Sequence, residues 1–446
     1  MKIAFISLGC DKNLVDSEVM LGLLNDYGCE ITNDETDADV VIVNTCGFIQ
    51  DAKQESIETI LEMAELKKTG HLKALIVSGC LAQRYKSEII EEIDEVDAIV
   101  GTTAYDEIVT VLEAVLNGEK HVQTFKDIDV LPAAKTDRIV TTGGYFSYLK
   151  IAEGCDKHCT YCIIPKLRGD YRSVPMEDIL RDARALAAKG IKEINIVAQE
   201  TTMYGKDIYG EKVFHKLLQE LCKIDGIEWI RILYCYPEEI YDELIETIKT
   251  EPKICHYLDI PIQHASDAIL KRMGRKTSHK ELVDIIGKLR REIPDIALRT
   301  TLISGFPGET QEDHEILKNF VKEMRFDRLG VFAYSAEEDT PAATMPDQID
   351  EAVKEARRDE LMEIQQEIAF EAAESMVGRH LQVMIEGRIP EDGVYIGRTY
   401  KDAPDVDGYV FVNAEEDMMS GDMVPVEITG SSEYDLIGDV IYEFTE

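Results

Sequence analysis

Three cysteines lie close together in the segment Cys155-Asp-Lys-His-Cys159-Thr-Tyr-Cys162. Three thiolates in one loop can ligate three irons of a 4Fe-4S cluster and leave the fourth iron without a protein ligand. Such an open iron can bind the amino and carboxylate groups of S-adenosylmethionine (SAM) and deliver an electron to its sulfonium, which generates a 5′-deoxyadenosyl radical. A zinc site is the alternative, but zinc prefers four ligands and His158 lies inside the same loop. The spacing therefore favours a cluster.

Three further cysteines, Cys10, Cys46 and Cys80, are separated by 36 and 34 residues and share no local motif. Each of them directly follows an apolar run that is typical of a β-strand. The carboxyl ends of parallel strands lie along one edge of a sheet, so we expect the three thiols to converge there. A glycine beside each cysteine leaves room for a bulky group: Gly9, Gly47 and Gly79. Three unrelated buried cysteines are the alternative, but the repeated placement favours a second 4Fe-4S cluster, called the auxiliary cluster below.

The elements that position these loops are indicated by periodicity. Residues 1–118 alternate apolar runs with amphipathic helical patterns, which predicts an α/β domain with a parallel sheet. The expected strands are Lys2–Leu8, Val40–Val43, Ala74–Val77 and Ala98–Val100. Residues 119–140 have no clear period and are expected to form a linker.

Residues 141–377 contain six more apolar runs separated by helical patterns. The expected strands are Tyr148–Ala152, Glu193–Val197, Trp229–Leu233, His256–Ile260, Ala297–Ile303 and Leu329–Ala333. Six βα units predict a partial (βα)6 barrel, two units short of a complete barrel, with its active site at the carboxyl ends of the strands. A long amphipathic helix, Ile349–Val377, is expected to complete this domain.

Residues 378–446 change in character, since short apolar runs alternate there with Gly, Pro, Asn and Asp. The expected strands are His380–Ile385, Val394–Ile396, Tyr409–Val412, Met423–Ile428 and Asp439–Phe444. They predict a small antiparallel β-barrel. The fold class is therefore α/β with a terminal β-barrel.

The composition limits the function. Among 446 residues, 48 are Lys or Arg and 87 are Asp or Glu, which gives a formal net charge of −39. This charge opposes generic nucleic-acid binding and favours a small molecule or a basic partner. No run approaches the roughly 18 apolar residues of a membrane span. Ten cysteines are too sparse for a disulfide scaffold, and without a recognisable signal peptide we expect a cytoplasmic protein with reduced thiols.

The Cys-x₃-Cys-x₂-Cys loop after the first barrel strand resembles the radical SAM superfamily. The resemblance implies that Tyr161 borders the adenine of SAM and that Gln199 and Glu200, after the second strand, hold its methionine part. It also implies cofactor-binding roles for Arg299 and for a glycine motif after the fifth strand. The residues of this motif that are singled out are Gly305, Gly308 and Glu309. The residues alone leave alternatives open: Tyr161 packs the loop, the glycines only make a turn, and Arg299 either pairs with a carboxylate or has a structural role.

The three domains together resemble the methylthiotransferases of the radical SAM superfamily, whose last module is called TRAM. Within that family the chain is most similar to the RimO branch, which modifies protein S twelve of the small ribosomal subunit. Four segments carry this similarity: Ser7–Glu18, Tyr148–Cys155, Tyr257–His264 and Asp402–Gly408.

This resemblance implies an enzyme that inserts a methylthio group at the β-carbon of an aspartate of that ribosomal protein, giving 3-methylthioaspartate. The cluster at Cys155, Cys159 and Cys162 would cleave SAM. The auxiliary cluster would hold the sulfur, and another SAM would supply the methyl group. An external electron donor and a sulfur donor are then required partners.

Two other functions remain open at this point. A tRNA methylthiotransferase acting on a modified adenosine would use the same chemistry, but a tRNA-binding module should be locally basic. From Gly378 onward there are four basic and sixteen acidic residues, which suits a protein rich in Lys and Arg. A non-catalytic iron-sulfur sensor or scaffold would explain two clusters, but not a six-unit barrel with a SAM-type loop.

Overall fold

The computed structural model describes residues 1–70, 72–132, 136–390 and 393–442. The chain divides into two compact units. The first unit comprises Met1–Thr141, Lys150–Val174 and Ser335–Ala343, and the second comprises Thr142–Leu149, Pro175–Tyr334 and Thr344–Glu446. No helix in the described part of the chain is long and apolar enough to cross a membrane.

The first unit contains a six-stranded parallel sheet. Its strands are β1 (Lys2–Ser7), β2 (Glu30–Thr32), β3 (Val40–Thr45), β4 (Ala74–Gly79), β5 (Ala98–Val100) and β6 (Val122–Thr124), in the spatial order β2-β1-β3-β4-β5-β6. The central strands β3 and β4 are buried along their whole length. Strands covered on both faces have continuous apolar sequences, which is why these two stand out in the sequence.

Helices cover both faces of this sheet. They are α1 (Asp11–Asp26), α2 (Gln50–Lys68), α3 (Cys80–Tyr85), α4 (Ser87–Glu92) and α5 (Ile108–Leu116). Val40 and Ile42 of β3 contribute to one apolar core together with residues of α1 and α5. Val41 and Val43 contribute to the opposite core with residues of α2, because successive side chains of a strand point to opposite faces.

The expected linker contributes an element that the periodicity does not reveal. Within residues 119–140, β6 pairs in parallel with β5, with Ala98 opposite Val122. β2 is a second unanticipated strand, paired with β1. Each has only three residues and lies at an edge of the sheet, so neither is long enough to show a periodic pattern.

The chain then passes through β7 (Phe146–Lys150) into the loop that carries the clustered cysteines. This loop region contains β8 (Ala152–Glu153), helix α6 (Ile164–Arg168) and β9 (Arg172–Ser173). β8 and β9 pair as antiparallel strands, with Ala152 opposite Ser173. This pairing holds the two ends of the cysteine-bearing loop next to each other in the first unit.

The barrel strands after β7 lie in the second unit. They are β10 (Glu193–Val197), β11 (Trp229–Ile232), β12 (Ile254–Asp259), β13 (Ala297–Ser304) and β14 (Arg328–Ala333), and the spatial order of the sheet is β14-β13-β12-β11-β10-β7. The neighbouring pairs from β10 to β14 are parallel. The predicted partial barrel of six strands is confirmed, with strand ends displaced by at most two residues.

The helices between these strands also follow the predicted alternation. They are α7 (Met176–Ala188), α8 (Lys206–Tyr209), α9 (Phe214–Cys222), α10 (Asp242–Thr250), α11 (Asp267–Arg272), α12 (His279–Glu292) and α13 (Gln311–Met324). The long helix α14 spans Glu351–Glu374 and starts with Asp350, whose carboxylate accepts a hydrogen bond from the Ala352 amide. Asp350 is therefore the N-cap residue of α14, and this hydrogen bond explains why the helix begins at Glu351.

The second unit ends in a closed five-stranded barrel. Its strands are β15 (His380–Ile389), β16 (Val394–Arg398), β17 (Val410–Asn413), β18 (Met423–Ser432) and β19 (Asp435–Val440), in the order β15-β16-β17-β19-β18. The expected antiparallel arrangement needs one correction, since β17 and β19 pair in parallel. The last strand begins four residues earlier than predicted because β18 and β19 form a hairpin, with Ser432 opposite Asp435. Residues 443 and 444 of the predicted strand lie outside the described residues.

Candidate cluster-binding site

Cys10, Cys46 and Cys80 lie beyond the carboxyl ends of three neighbouring strands. β1, β3 and β4 are adjacent in the sheet, and Thr45 of β3 pairs with Gly79 of β4. Cys46 and Cys80 are the next residues of those two strands, and Cys10 is the N-cap residue of α1. The register therefore brings all three cysteines to the same edge of the first unit's sheet.

Glycines allow the cysteine-bearing loops to approach one another. Gly9 has a φ of +87°, and a Cβ atom there would lie 2.7 Å from Cβ and 2.9 Å from Sγ of Cys46. A Cβ atom on Gly47 would lie 3.0 Å from the Leu81 amide nitrogen and 3.1 Å from the Cys80 carbonyl carbon. The space that glycine leaves is therefore used for close contact between the loops.

The thiols of this group influence one another electrostatically. Burial, together with the charges of Cys80 and Cys10, raises the pKa of the Cys46 thiol to about 12. Burial also raises the pKa of the Cys80 thiol, although the charge of Arg168 opposes this change. In the metal-free chain Cys46 and Cys80 therefore keep their protons at neutral pH, and iron binding must release them.

The clustered cysteines are held in a compact loop of the same unit. Cys155 and Cys159 are buried and Cys162 is half-buried. The amide of Cys155 donates to the Gly169 carbonyl at 3.1 Å, and the amide of Cys162 donates to the Cys159 carbonyl at 3.0 Å. Gly154, with a φ of +81°, lies so close to the backbone of Asp170 that a side chain would collide with it. Both ends of the loop are therefore fixed by backbone contacts.

Helix α6 joins the two groups of cysteines. Ile163, the residue after Cys162, forms a small apolar cluster with Leu167 and Cys80. The Leu167 carbonyl accepts a hydrogen bond of 2.7 Å from the Thr102 hydroxyl, which follows β5. The loop after β7 is thus packed directly against the cysteine that follows β4.

A buried ionic network that the sequence analysis missed surrounds this junction. Arg168 at the end of α6 binds Asp16 at 2.6 Å and Glu153 at 3.2 Å through Nη1, and Asn13 Oδ1 at 3.0 Å through Nη2. Lys150 binds the same two carboxylates. The sequence signal that could have indicated this network is the presence of charged residues near Cys10 and Cys155, because charged side chains that become buried need partners.

The segment Ser335–Ala343, called the strap here, is a second feature that was missed. Its buried Glu337 accepts Lys53 Nζ at 2.9 Å and Arg84 Nη1 at 3.1 Å. Arg84 also donates to the Gly47 carbonyl at 2.8 Å, next to Cys46. At the other end of the strap, the Ala342 amide donates to the Thr160 carbonyl inside the clustered-cysteine loop at 2.8 Å. The strap therefore contacts both cysteine-bearing regions.

The chemistry of the donor set fits two 4Fe-4S clusters, because each group offers three soft thiolate ligands. Across residues 1–70, 72–132, 136–390 and 393–442, no three His, Cys, Asp or Glu side chains are arranged to hold one metal ion. In a cubane cluster each thiolate binds a different iron, so the sulfur ligands need not converge on one point. Two sets of three thiols, each in a glycine-lined loop region, meet this requirement.

The predicted SAM ligands are divided between the two units. Tyr161 is half-buried in the first unit, and Gln199 is half-buried in the second. Glu200 is buried, and its Oε1 accepts a hydrogen bond of 2.8 Å from the Thr202 amide in the turn after β10. The roles of these three residues in binding SAM stay predictions.

The glycine motif after β13 is explained by contacts within the chain. Glu309 is buried, its Oε2 accepts the Gly305 amide at 2.8 Å, and its Oε1 binds Arg357 of α14 at 2.8 Å. A side chain on Gly305 would collide with Lys354, and one on Gly308 would lie 2.6 Å from Cζ of Arg272. These contacts engage both oxygens of Glu309 within the chain, and the roles of Gly305, Gly308 and Glu309 in binding SAM stay predictions.

Arg299 is also engaged inside the second unit. Its Nε lies 4.0 Å from Oδ1 of Asp407, in the loop between β16 and β17. Burial would lower the pKa of Arg299, but Tyr257, Asp259 and Asp407 together raise it above the ordinary value. Arg299 therefore has partners within the second unit, and its role in binding SAM stays a prediction.

Comparison with known protein families finds matches to three separate parts of the chain. Residues 2–101 match an uncharacterized protein family, UPF0004. Residues 149–321 match the radical SAM superfamily, and residues 377–441 match the TRAM domain.

Full-length relatives are also similar to the chain. A protein of Lachnoclostridium phytofermentans named ribosomal protein uS12 methylthiotransferase RimO is 69% identical over 98% of this chain and 99% of its own length. A protein of the same name from Clostridioides difficile (strain 630) is 53% identical over 99% of each chain. Among solved structures, the radical SAM methyltransferase TsrM from Kitasatospora setae, with cobalamin and a [4Fe-4S] cluster bound, has a TM-score of 0.56 at 14% identity. The match covers 84% of this chain and 78% of that chain, and it concerns the fold alone.

Proposed function

Since the chain belongs to the RimO family of ribosomal protein uS12 methylthiotransferases, we propose that it methylthiolates the β-carbon of an aspartate in uS12, the small-subunit protein S twelve. The product is 3-methylthioaspartate. The enzyme is a radical SAM methylthiotransferase whose cofactors are two 4Fe-4S clusters and SAM.

One observation above all supports this proposal. Six cysteines form two groups of three in a single compact unit, and α6 packs the residue after Cys162 against Cys80. A methylthiolation needs a radical generator and a source of transferable sulfur. Two three-thiol groups provide two clusters, each with an iron that has no protein ligand.

When bound, the clusters and SAM supply the radical chemistry and the transferable sulfur. The chain's own residues hold them in place. Cys155, Cys159 and Cys162 ligate the radical SAM cluster, and Cys10, Cys46 and Cys80 ligate the auxiliary cluster. Thiolates are required because they are soft ligands, and serine oxygens would not replace them. Cys80, Cys155 and Cys159 are buried, whereas Cys10 is exposed and Cys46 and Cys162 are half-buried.

The charge of the terminal barrel supports a protein substrate over tRNA. Exposed acidic side chains are frequent on this barrel, for example Glu415, Glu416 and Asp417 between β17 and β18. Ribosomal proteins are rich in Lys and Arg, so an acidic surface attracts them and repels phosphates. The barrel is therefore assigned to contact with basic uS12, either as the free protein or on the small subunit.

The reaction also needs molecules that the chain does not contain. The radical SAM cluster would require an external electron donor, and the auxiliary cluster would require a sulfur donor. We assign the reaction to the cytoplasm, where a ribosomal substrate and reduced thiols are both found.

Anaerobic reconstitution followed by assay on uS12 tests the function. Wild-type chain should bind about eight irons, cleave SAM after reduction, and increase the mass of uS12 by replacement of one hydrogen with SCH₃. Cys155→Ala should abolish SAM cleavage. Cys10→Ala should retain cleavage but lose transfer of the methylthio group, because only the auxiliary cluster is disrupted.

Cys29→Ala is the matched control, since Cys29 belongs to the apolar core of the first unit and to neither group. It should retain both activities. Methylthiolated product from Cys10→Ala would contradict the two-cluster assignment. Modification of tRNA with no change in uS12 would replace the proposed substrate.

A further inference from the structure

A groove of about 280 Å³ lies on the surface of the first unit, between helix α2 and the strap. Six residues line it: Gln50, Lys53, Ile57, Tyr85, Ala336 and Glu338. Ile57 is 38% exposed there, although isoleucine is among the residues that proteins bury most often. The groove therefore presents apolar side-chain surface to solvent.

The exposed apolar surface extends beyond the groove. Leu61 lies one helical turn after Ile57 on the same side of α2 and is 47% exposed. Phe48, two residues before the helix, is 37% exposed. A single exposed apolar side chain needs no explanation, but three of them beside a groove are typical of a surface that binds another molecule.

The solvent-facing side of α2 is also acidic. Four exposed carboxylates follow one another along it at three- or four-residue spacing: Asp51, Glu55, Glu58 and Glu62. The lysines of the same helix pair with other carboxylates, namely Lys53 with Glu337, Lys67 with Asp97 and Lys68 with Glu65. These lysines therefore do not neutralise the four carboxylates, which give the apolar surface a negative rim.

The groove is connected with the loop of an auxiliary-cluster cysteine. Arg84, next to Tyr85 in the chain, donates through Nη1 to the carbonyl of Gly47, the residue after Cys46, at 2.8 Å. Its Nη2 donates to the Glu338 carbonyl in the strap at 3.0 Å. One buried side chain thus ties a wall of the groove to the Cys46 loop. A polypeptide bound in the groove would lie close to the proposed source of sulfur.

We propose that the α2 surface, formed by the groove, Phe48, Leu61 and the four carboxylates, binds a basic segment of uS12 that carries an apolar side chain. The proposal rests on the proposed function, because it takes uS12 as the substrate. Charge complementarity favours this occupant, since ribosomal proteins are rich in Lys and Arg. The apolar side chain would anchor the segment in the groove, with basic neighbours at the negative rim. The same rim repels the phosphates of a nucleic acid.

The test measures KM and kcat for isolated uS12 with the full chain, reconstituted and normalised to bound iron. Ile57→Ser should raise KM about tenfold, the size expected when the burial of one apolar side chain at an interface is lost. Leu116→Ser is the matched control, because Leu116 is 42% exposed at the end of α5 in the same unit and outside the α2 surface. It should leave KM at the parent value.

The acidic rim is tested separately by Glu58→Gln combined with Glu62→Gln. This double variant should raise KM several-fold at low salt, and the difference from the parent should shrink as salt screens the charges. The effect of Ile57→Ser should persist at high salt, because burial of apolar surface does not depend on that screening. Two salt responses of this kind would separate an apolar anchor from a charged rim.

Leu61→Ser replaces Ile57→Ser if the latter does not load iron, since Leu61 is the more exposed of the two. Unchanged KM in the loaded serine variant and in the double glutamine variant would overturn the α2 surface as a docking site for uS12. The same conclusion would follow if these variants only slowed reduction by a protein electron donor. A parent enzyme that cleaves SAM but does not modify uS12 would instead overturn the proposed function.

Discussion

Glu193 on β10 and Arg398 on β16 form an ion pair in which both side chains are completely buried, with 2.6 Å between Oε2 and Nη2. The other carboxylate oxygen of Glu193 accepts Nε of Arg231 on β11 at 2.8 Å. Arg398 also binds Glu386 on β15 and the Asp402 carbonyl. This network fixes the terminal barrel to the six-stranded sheet within the second unit. Breaking a buried ion pair is costly because the remaining charge is left without compensation.

Glu193→Gln should therefore destabilise the second unit by about 3–5 kcal/mol, since Arg231 and Arg398 would remain buried without their carboxylate. Unfolding in urea can be followed by the fluorescence of Trp229, the single tryptophan, which pairs with Glu193 across the β10–β11 register. Asp284→Asn is the control, because it breaks an exposed ion pair with Lys280 and should cost less than about 1 kcal/mol. Equal losses in the free energy of unfolding for the two variants would argue against a stabilising role of the buried network.

Gly9→Ala should selectively impair the auxiliary cluster. The new Cβ would lie 2.7 Å from Cβ of Cys46, and the φ of +87° is unfavourable for alanine. Because Cys46 must move, iron in the reconstituted protein should fall from about eight to about four per chain, with the radical SAM cluster retained.

Gly28→Ala separates this steric effect from backbone strain. Gly28 has a φ of +95°, but a Cβ atom there would meet nothing within 4 Å. This variant should lose about 1 kcal/mol of stability and keep its full iron content. Iron loss in both variants, or in neither, would show that the contact between Gly9 and Cys46 does not control cluster binding.

The strap should contribute stability that depends on pH. Burial alone would raise the pKa of Glu337, but hydrogen bonds from Lys53, Ser335 and Arg84, together with the charge of Lys53, lower it overall. A carboxyl group with a lowered pKa stabilises the folded state above its unfolded pKa, near 4.3, and this contribution is lost as the pH falls through the folded pKa.

Glu337→Gln tests this contribution in the metal-free chain. The difference in free energy of unfolding between wild type and variant should be constant from about pH 6 to pH 8 and should shrink below about pH 4.5. Glu338→Gln is the control, because its side chain is 56% exposed. A difference for Glu337→Gln that stays the same in acid would mean that its ionisation is not coupled to folding.

Structural features that depend on local sequence patterns could be predicted, whereas contacts between residues that are far apart in the chain could not. Cys46 and Cys80 could be placed together because each follows a long apolar strand, and parallel pairing brings such strand ends to one edge. Arg168 could not be connected with Asn13 and Asp16, because no periodicity relates residues so far apart in the chain. The same limit applies to Arg299 and Asp407, whose contact depends on how the terminal barrel packs against the sheet.

Glycine motifs show a different limit. The sequence indicates that Gly305 and Gly308 need freedom or space, but it does not say what approaches them. In the structure Gly305 is next to Lys354, and Gly308 is next to Arg272. A glycine required by a neighbouring side chain and one required by a ligand have the same sequence signature, so only the fold separates them.

The acidic barrel should bind uS12 in a salt-dependent way. Affinity for the isolated ribosomal protein, measured by titration at increasing salt, should fall as ions screen the attraction between opposite charges. Glu415→Gln combined with Glu416→Gln removes two exposed negative charges from the barrel and should weaken binding several-fold, mainly by slowing association. Glu91→Gln combined with Glu92→Gln is the matched control, since it removes the same charge from exposed positions near the end of α4 in the first unit. If both double variants bind equally, net charge rather than the barrel surface attracts the substrate, and salt-insensitive binding would contradict electrostatic recognition altogether.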